Sequence, residues 1–218
     1  MNKYLLYTLS ILKTVWINFR YLPISQAKKI PLLVAFDTSF CCHSGKVIFE
    51  TPIRRGMIRI GFHEVPACNR LKTKIEIQGS LIFRGEAHIG NGSKIYVSKN
   101  ACLILGDDFK ISANTSILCY HKIEFGYNIQ FNWECLVMDS DTHTILDENS
   151  YCCNSDKPVF FGNNIWIGCR STILKGSILP NNCIVGSMSL ISGNKFEPNT
   201  IIVGCPAKSV KRISGWKL

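Results

Sequence analysis

Residues 161–192 read FGNNIWIGCRSTILKGSILPNNCIVGSMSLIS, and every sixth position is apolar: Phe161, Ile167, Ile173, Leu179, Val185 and Ile191. The beat runs on through one polar exception, Glu197, to Val203. A small residue often follows the anchor (Gly162, Gly168, Gly186, Ser192, Gly204), and the fourth residue after it is mostly small or aliphatic (Ile165, Ser171, Ser177, Cys183, Ser189). A helix needs apolar recurrence at three and four, and a half-buried strand alternates with period two. Gly-Asn-Asn and Pro-Asn-Asn would in any case interrupt a helix. Period six suits a triangular solenoid in which each side is a short strand plus a corner, so three hexads close one turn of roughly eighteen residues. The fold expected is an all-β solenoid.

Working outward, the same rhythm appears upstream with slips. Ile77, Phe83, Ile89 and Ile95 keep six; Leu105, Ile111 and Ile117 restart it; Phe125, Phe131 and Val137 restart it again. The solenoid is therefore drawn over residues 75–213, with a helix and a basic irregular or β region over 1–74 and a tail over 214–218. One stretch, Asp139 to Pro158, ignores the period. A polar excursion of that length from a regular coil marks the first place to look for function.

Composition excludes several classes. Hydrophobic residues make up 46% and charged residues 18% of the 218, which fits neither a disordered chain nor a polytopic membrane protein. The net charge of +10 favours anionic partners: nucleic acid, an acidic membrane, or phosphate-bearing molecules. The excess is uneven, with fifteen basic and five acidic residues through Asn100 and ten of each thereafter. Eleven cysteines at irregular spacings read as reduced thiols, and Cys135 and Cys183, four after an anchor, as packing material. Neither Cys41-Cys42 nor Cys152-Cys153 has the spacer of a zinc pair, so no metal is expected; His43 beside Cys41 and Cys42 is the weak exception.

The first twenty or so residues are apolar but interrupted by Lys13 and Arg20, too short to span a bilayer and without a signal-peptide cleavage site. They read as a helix of about five turns that ends before Pro23. Its apolar side packs on the body or on a neighbouring subunit; the alternative is an interfacial helix, with membrane contact through residues 4–22.

Within the excursion, His143 is the group that titrates near neutrality and can take a proton from a weak nucleophile. Asp141 and Asp139 are candidates to fix its tautomer. His88 and His121 read as surface or lateral hydrogen-bonding groups. There is no Gly-x-Ser-x-Gly motif and no P-loop.

On these residues the sequence resembles the hexapeptide-repeat acyltransferases, most closely the sugar and glycan O-acetyltransferases. The repeat itself, Met138-Asp139-Ser140-Asp141-Thr142-His143, Phe161 to Gly168 with Trp166, and Val203-Gly204-Cys205-Pro206-Ala207-Lys208 carry the resemblance. It implies a left-handed parallel β-helix and direct acetyl transfer from acetyl-CoA to a sugar hydroxyl with His143 as base. Trp166 would lie beside the acyl-CoA arm, Cys169 and Ser187 would offer backbone groups to the pantetheine amides, and Ser192, Lys208 and Lys211 would lie towards the nucleotide. Asn114 would contact the acceptor, or would simply form a corner. A glycine, Gly193, stands where the family usually has lysine, and Asn194-Lys195 suggests one extra residue in that turn. The resemblance further implies a homotrimer; the reduced thiols point to the cytoplasm, the basic N-terminal region to the inner face of the membrane, and no nucleic-acid partner is expected. The alternatives are N-acetylation of an amino sugar and a catalytically silent scaffold or glycan-binding subunit.

Overall fold

The computed structural model describes residues 3–41, 44–63, 65–66, 68–193 and 195–217, and side chains from Thr8 onward. Cys42, His43 and Asn194 lie outside the described residues, so the metal reading at His43 finds no structural counterpart to report. Helix α1 spans Lys3–Tyr21 and a short helix, α2, spans Ile24–Ala27. The rest winds into a triangular prism. Among the described residues, face A holds nine strands, face B seven and face C six, and every pairing is parallel except the last of face A, where Ala207–Arg212 runs antiparallel to Thr200–Gly204.

The anchors fill the prism. Ile77, Phe83, Ile89 and Ile95 are buried, as are Leu105 to Val137 and Phe161 to Ile191 at each sixth position. Phe109, Phe125, Phe131 and Phe161 stack along the axis with ring centroids 4.4–6.0 Å apart. Successive coils add about 4.8 Å of height, the spacing of hydrogen-bonded strands.

Register gives each coil's length. Trp166 pairs with Ile184 and Phe160 with Ile178, an advance of 18 residues. Upstream, Leu32 pairs with Ile58, Ile58 with Ala87, Ala87 with Phe109 and Phe109 with Ile129, advances of 26, 29, 22 and 20. The first strand of face A is thus Leu32–Val34, and the boundary drawn at residue 75 falls inside the second coil. The long corners between residues 32 and 74 hide the period without breaking the stack.

The last coil differs from expectation. Ile184 pairs with Ile201, an advance of 17, so that turn is one residue short and carries no extra one. The anchors shift accordingly: Phe196 packs on the core in place of Glu197, and buried Ile202 takes the place of Val203.

Left-handed backbone marks the corners. Asn128, Asn164, Asn182 and Asn199 have φ of +51° to +59° at one edge. Asparagine tolerates that conformation and its amide both donates and accepts. Asn128 Nδ2 donates to Asn164 Oδ1, Asn164 to Asn182 and Asn182 to Asn199, at 2.9–3.0 Å, a ladder that ties four coils. Of the small positions, Ser171 and Ser189 both donate to Gly186 O, while Cys135 and Cys183 are buried. The ten described cysteines are free thiols.

Helix α1 ends at Tyr21, before Pro23, but its packing reverses the expectation that the apolar side meets the body. Thr14, Asn18 and Ile17 are buried against the first strand, whereas Leu12, Trp16 and Phe19 are exposed. The reason is the bare edge of that strand, whose peptide groups need polar partners. Among the described residues no helix is long and apolar enough to cross a membrane.

Candidate active site

Residues 139–158 leave the coil after Leu136–Met138 of face B and rejoin it at Val159–Phe161 of face C. The excursion adds a coil's worth of chain, because Ile129 pairs with Ile165, 36 residues on. Asp139 forms its root. It is fully buried, and its carboxylate accepts from Tyr120 N at 2.7 Å, His121 N at 2.9 Å and the Cys119 thiol at 3.7 Å. Burial, followed by that carboxylate, pushes the Cys119 thiol well above its ordinary range.

Asp141 is committed elsewhere as well. Its Oδ2 accepts from Lys175 Nζ at 2.6 Å and from Asn154 Nδ2 at 2.8 Å. The Lys175 hydrogen bond, reinforced by Asn154, holds the Asp141 carboxyl below the usual carboxylate range. Lys175 also donates to Asn154 O and Ser155 O, so one ammonium from the sixth coil fastens both legs of the excursion. Asn154 completes the knot: Nδ2 donates to His143 O at 2.8 Å and Oδ1 accepts from Ile145 N at 2.7 Å.

His143 sits above this knot, exposed, with Nδ1 3.0 Å from Thr142 Oγ1. Thr142 has φ +63° and its N–H donates to Ser140 Oγ, a tight turn that presents the imidazole. Neither Asp141 nor Asp139 touches the ring, contrary to the expectation that one of them orients it; the backbone is oriented instead, through Asn154 and Lys175. Beyond His143 the tip is a small hairpin, bridged Leu146 to Cys152, with Asp147 Oδ1 accepting from Asn149 N and Tyr151 N. Ile145, Leu146 and Tyr151 are left exposed.

Trp166 projects from the outer side of face A, between buried Ile165 and Ile167. Its Nε1 donates to Asn132 Oδ1 at 3.2 Å, and its ring lies 6.4 Å from that of Trp216, which donates to Asn164 O. Beside them Asn164, Asn182, Ser214, Trp216 and Lys217 line a cavity of about 450 Å³. Trp166, Ile184, Ile201 and Lys211 form one register row, which puts Lys211 three strands, roughly 14 Å, from the indole. Lys208 stands opposite Val203 in the same terminal hairpin. Cys169 and Ser187 meet at the corner between faces A and B, Sγ to Oγ 3.3 Å. There Gly168 has no room for a side chain, since a Cβ would lie 2.5 Å from Ser187 N.

Other candidates stand apart. Ser192 ends a strand of face B, paired with Leu174. Asn114 makes a left-handed corner at φ +51°, its Oδ1 buried over Gly92. His121 serves the fold through its N–H on Asp139, and His88 lies in the row between Arg59 and Lys110. The chain itself does not bring Trp166 to the His143 loop: one lies on face A, the other leaves the edge between faces B and C. Sequence reasoning missed Lys175, Asn154, Asn132 and Trp216; only Lys175, directly before a corner glycine, sits where a pattern could have pointed to it.

The arrangement is a parallel β-helix from which a histidine-bearing loop is held out. No family model matches the chain. It is 41% identical over 152 residues to the putative lipopolysaccharide biosynthesis O-acetyl transferase WbbJ of Escherichia coli (strain K12), covering 66% of this chain and 77% of that one. It is 28% identical over 169 residues to the probable acetyltransferase Rv3034c of Mycobacterium tuberculosis, covering 73% of this chain and 51% of the relative, so it spans about half that protein's length. The crystal structure of the polySia-specific acetyltransferase NeuO superposes with a TM-score of 0.55 at 18% identity, over 86% of this chain and 89% of that one, a likeness of fold. The chain belongs to the hexapeptide-repeat acetyltransferases, with their left-handed β-helix.

Proposed function

We propose that this protein transfers an acetyl group from acetyl-CoA to a hydroxyl of a sugar in a glycan or glycan precursor. The observation that carries the reading is the excursion itself, which holds His143 out from the coil on a turn fixed by Asn154 and Lys175. In the tautomer whose Nδ1–H donates to Thr142 Oγ1, which lies 3.0 Å away, the Nε2 lone pair is available as the base. Nε2 takes the proton as the acceptor oxygen attacks the thioester carbonyl. The tetrahedral oxyanion collapses, the C–S bond breaks, and the imidazolium returns the proton to the departing thiolate of CoA. No covalent enzyme intermediate is needed. Resemblance to a relative named for lipopolysaccharide biosynthesis supports a glycan acceptor.

The acyl donor would lie along face A. Trp166 and Trp216 offer an apolar wall with polar tips, which suits the mixed character of pantetheine, and Lys211 and Lys208 in the terminal hairpin suit phosphates. The turn at Cys169 and Ser187 would present backbone groups to the arm's amides.

In this reading the enzyme is a homotrimer in the cytoplasm, where acetyl-CoA is made, and His143 of one chain meets Trp166 of the next. Two observations support it: their separation on one chain, and the outward row of face B. That row places half-buried Tyr96, Leu118 and Met138 in register, with the Tyr120 ring 5.2 Å from Tyr96.

The test is release of free CoA from acetyl-CoA against a panel of hydroxyl and amino sugars. Hydroxyl acceptors should turn over, and His143→Ala should abolish transfer while the molar mass and the thermal shift given by acetyl-CoA persist. Full activity in that variant refutes the base. A panel in which only amines react refutes O-transfer, and no thermal shift with acetyl-CoA favours a silent scaffold.

A further inference from the structure

Helix α1 is amphipathic the wrong way round. Ser10, Thr14 and Asn18, four residues apart, form a polar stripe, and that stripe is the side turned to the body. Asn18 Nδ2 donates to Leu32 O and its Oδ1 accepts from Leu32 N, at 2.7 and 3.1 Å. Thr14 Oγ1 accepts from Val34 N at 2.9 Å, Ser10 Oγ accepts from Phe36 N at 3.0 Å, and Lys13 Nζ reaches Phe36 O and Thr38 O. Side chains of the helix therefore take the place that a neighbouring strand would fill, and they seal the sheet edge.

The consequence is an apolar exterior. At 100° per residue, Leu12, Trp16 and Phe19 lie within about 40° of the point opposite Thr14. Ile11 and Leu12 are each 63% exposed, Trp16 50% and Phe19 48%, with Leu9 and Val15 beside them. Ile24 of α2 continues the patch. Contiguous apolar surface rimmed by charge marks an interaction site. The charge here is mostly positive: no acidic residue precedes Asp37, which lies by Lys13, and Arg20, Lys28 and Lys29 are exposed.

From the reversed helix and the exposed cations beside it we infer that α1 docks this protein on an anionic bilayer surface. Leu12, Trp16 and Phe19 enter the boundary between headgroups and acyl chains, and Arg20, Lys28 and Lys29 face the lipid phosphates. An indole and a phenyl ring are the side chains that favour that boundary, whereas a second copy of the chain would bring the same positive rim against itself. The inference is independent of the assignment of His143.

The experiment is co-sedimentation of the full chain with vesicles of phosphatidylcholine alone and of phosphatidylcholine mixed with phosphatidylglycerol. The wild type should pellet with the anionic vesicles and be released by salt. Trp16→Glu with Phe19→Glu should weaken binding at least about tenfold while molar mass and acetyl transfer to a soluble acceptor stay as in the wild type. Lys28→Gln with Lys29→Gln leaves the apolar face untouched and should reduce the preference for anionic vesicles, which keeps the test open if the first variant misfolds. Three results overturn the inference: wild type that stays in the supernatant with both vesicles, variants of both kinds that pellet like the wild type, or an oligomer that falls apart on Trp16→Glu and Phe19→Glu, which would make the face a subunit contact.

Discussion

The sixth coil and the excursion that precedes it are made from similar lengths of chain and solve opposite problems. Across residues 165–183 every apolar anchor is buried and the corners repeat one left-handed backbone conformation, so the segment is held by its packing. Across 139–158 the only buried groups are at the root, and the apolar residues Ile145, Leu146 and Tyr151 face outward. What order the excursion has comes from polar side chains: Asp139 at the base, then Asn154, and Lys175 reaching over from the neighbouring coil. The solenoid supplies position, and on the proposed reading the departure from it supplies the base. The two should therefore fail separately.

The sharpest break is His143→Ala, expected to lower the rate of acetyl transfer by about 10²–10⁴, the range for removal of a general base, with no change in melting temperature. Phe125→Ala is the converse. It removes a ring in contact with Phe109, Phe131 and Phe161 at the axis and should cost about 3–5 kcal/mol of stability. Denaturant midpoints would show it, while the fraction still folded keeps its chemistry at the loop. Lys175→Met tests the joint between the two regions. A loss of about tenfold in kcat with little change in KM for acetyl-CoA is expected, because the variant frees the turn that presents His143 without touching face A; an equal loss of thermal stability would mean that Lys175 serves the coil alone.

Smaller effects follow. Asn182→Ala removes the middle of the asparagine ladder and puts alanine at φ +59°, at a cost of about 1–3 kcal/mol in stability with activity kept. Last is acidity. Lys175 lowers the pKa of Asp141, so the clamp is fully present above the unfolded carboxylate value, about 3.9, and is lost as pH falls through the still lower folded value. Proteolysis of the loop should thus rise only as the pH falls through that lower value in the wild type, whereas in Lys175→Met the loop is open to cleavage already at neutral pH.

How much of this was legible depends on whether a residue acts through periodicity or through partners distant in sequence. Phe161 to Ile191 declared the prism because hexads there have no insertions. Leu32 and Ile58 belong to the same face but are 26 residues apart, and no fixed period survives such corners. Glu197 misled by one position, because the shortened turn moves Phe196 onto the core. The excursion announced itself through the broken period, and His143 within it is the proposed base. Asp139 and Asp141 lie four and two residues before His143; only the coil behind them decides that one holds peptide groups of residues 120 and 121 and the other a lysine 34 positions on. Helix α1 shows the same limit, since its pattern reveals which side is apolar but not which side the body requires.

The coil spacing sets one further quantity. The strand Ile129–Trp133, from which the loop-bearing coil starts, is four steps along face A from Leu32–Val34, the strand that α1 covers. At about 4.8 Å a step the stack works as a gauge roughly 19 Å tall, with the helix as its foot and the imidazole near its top. Chain added to the corners leaves that height unaltered, because a corner insertion widens a coil and does not lift it. Adding or deleting one whole coil would move the His143 ring by a single fixed increment, so its height above helix α1 is counted in turns.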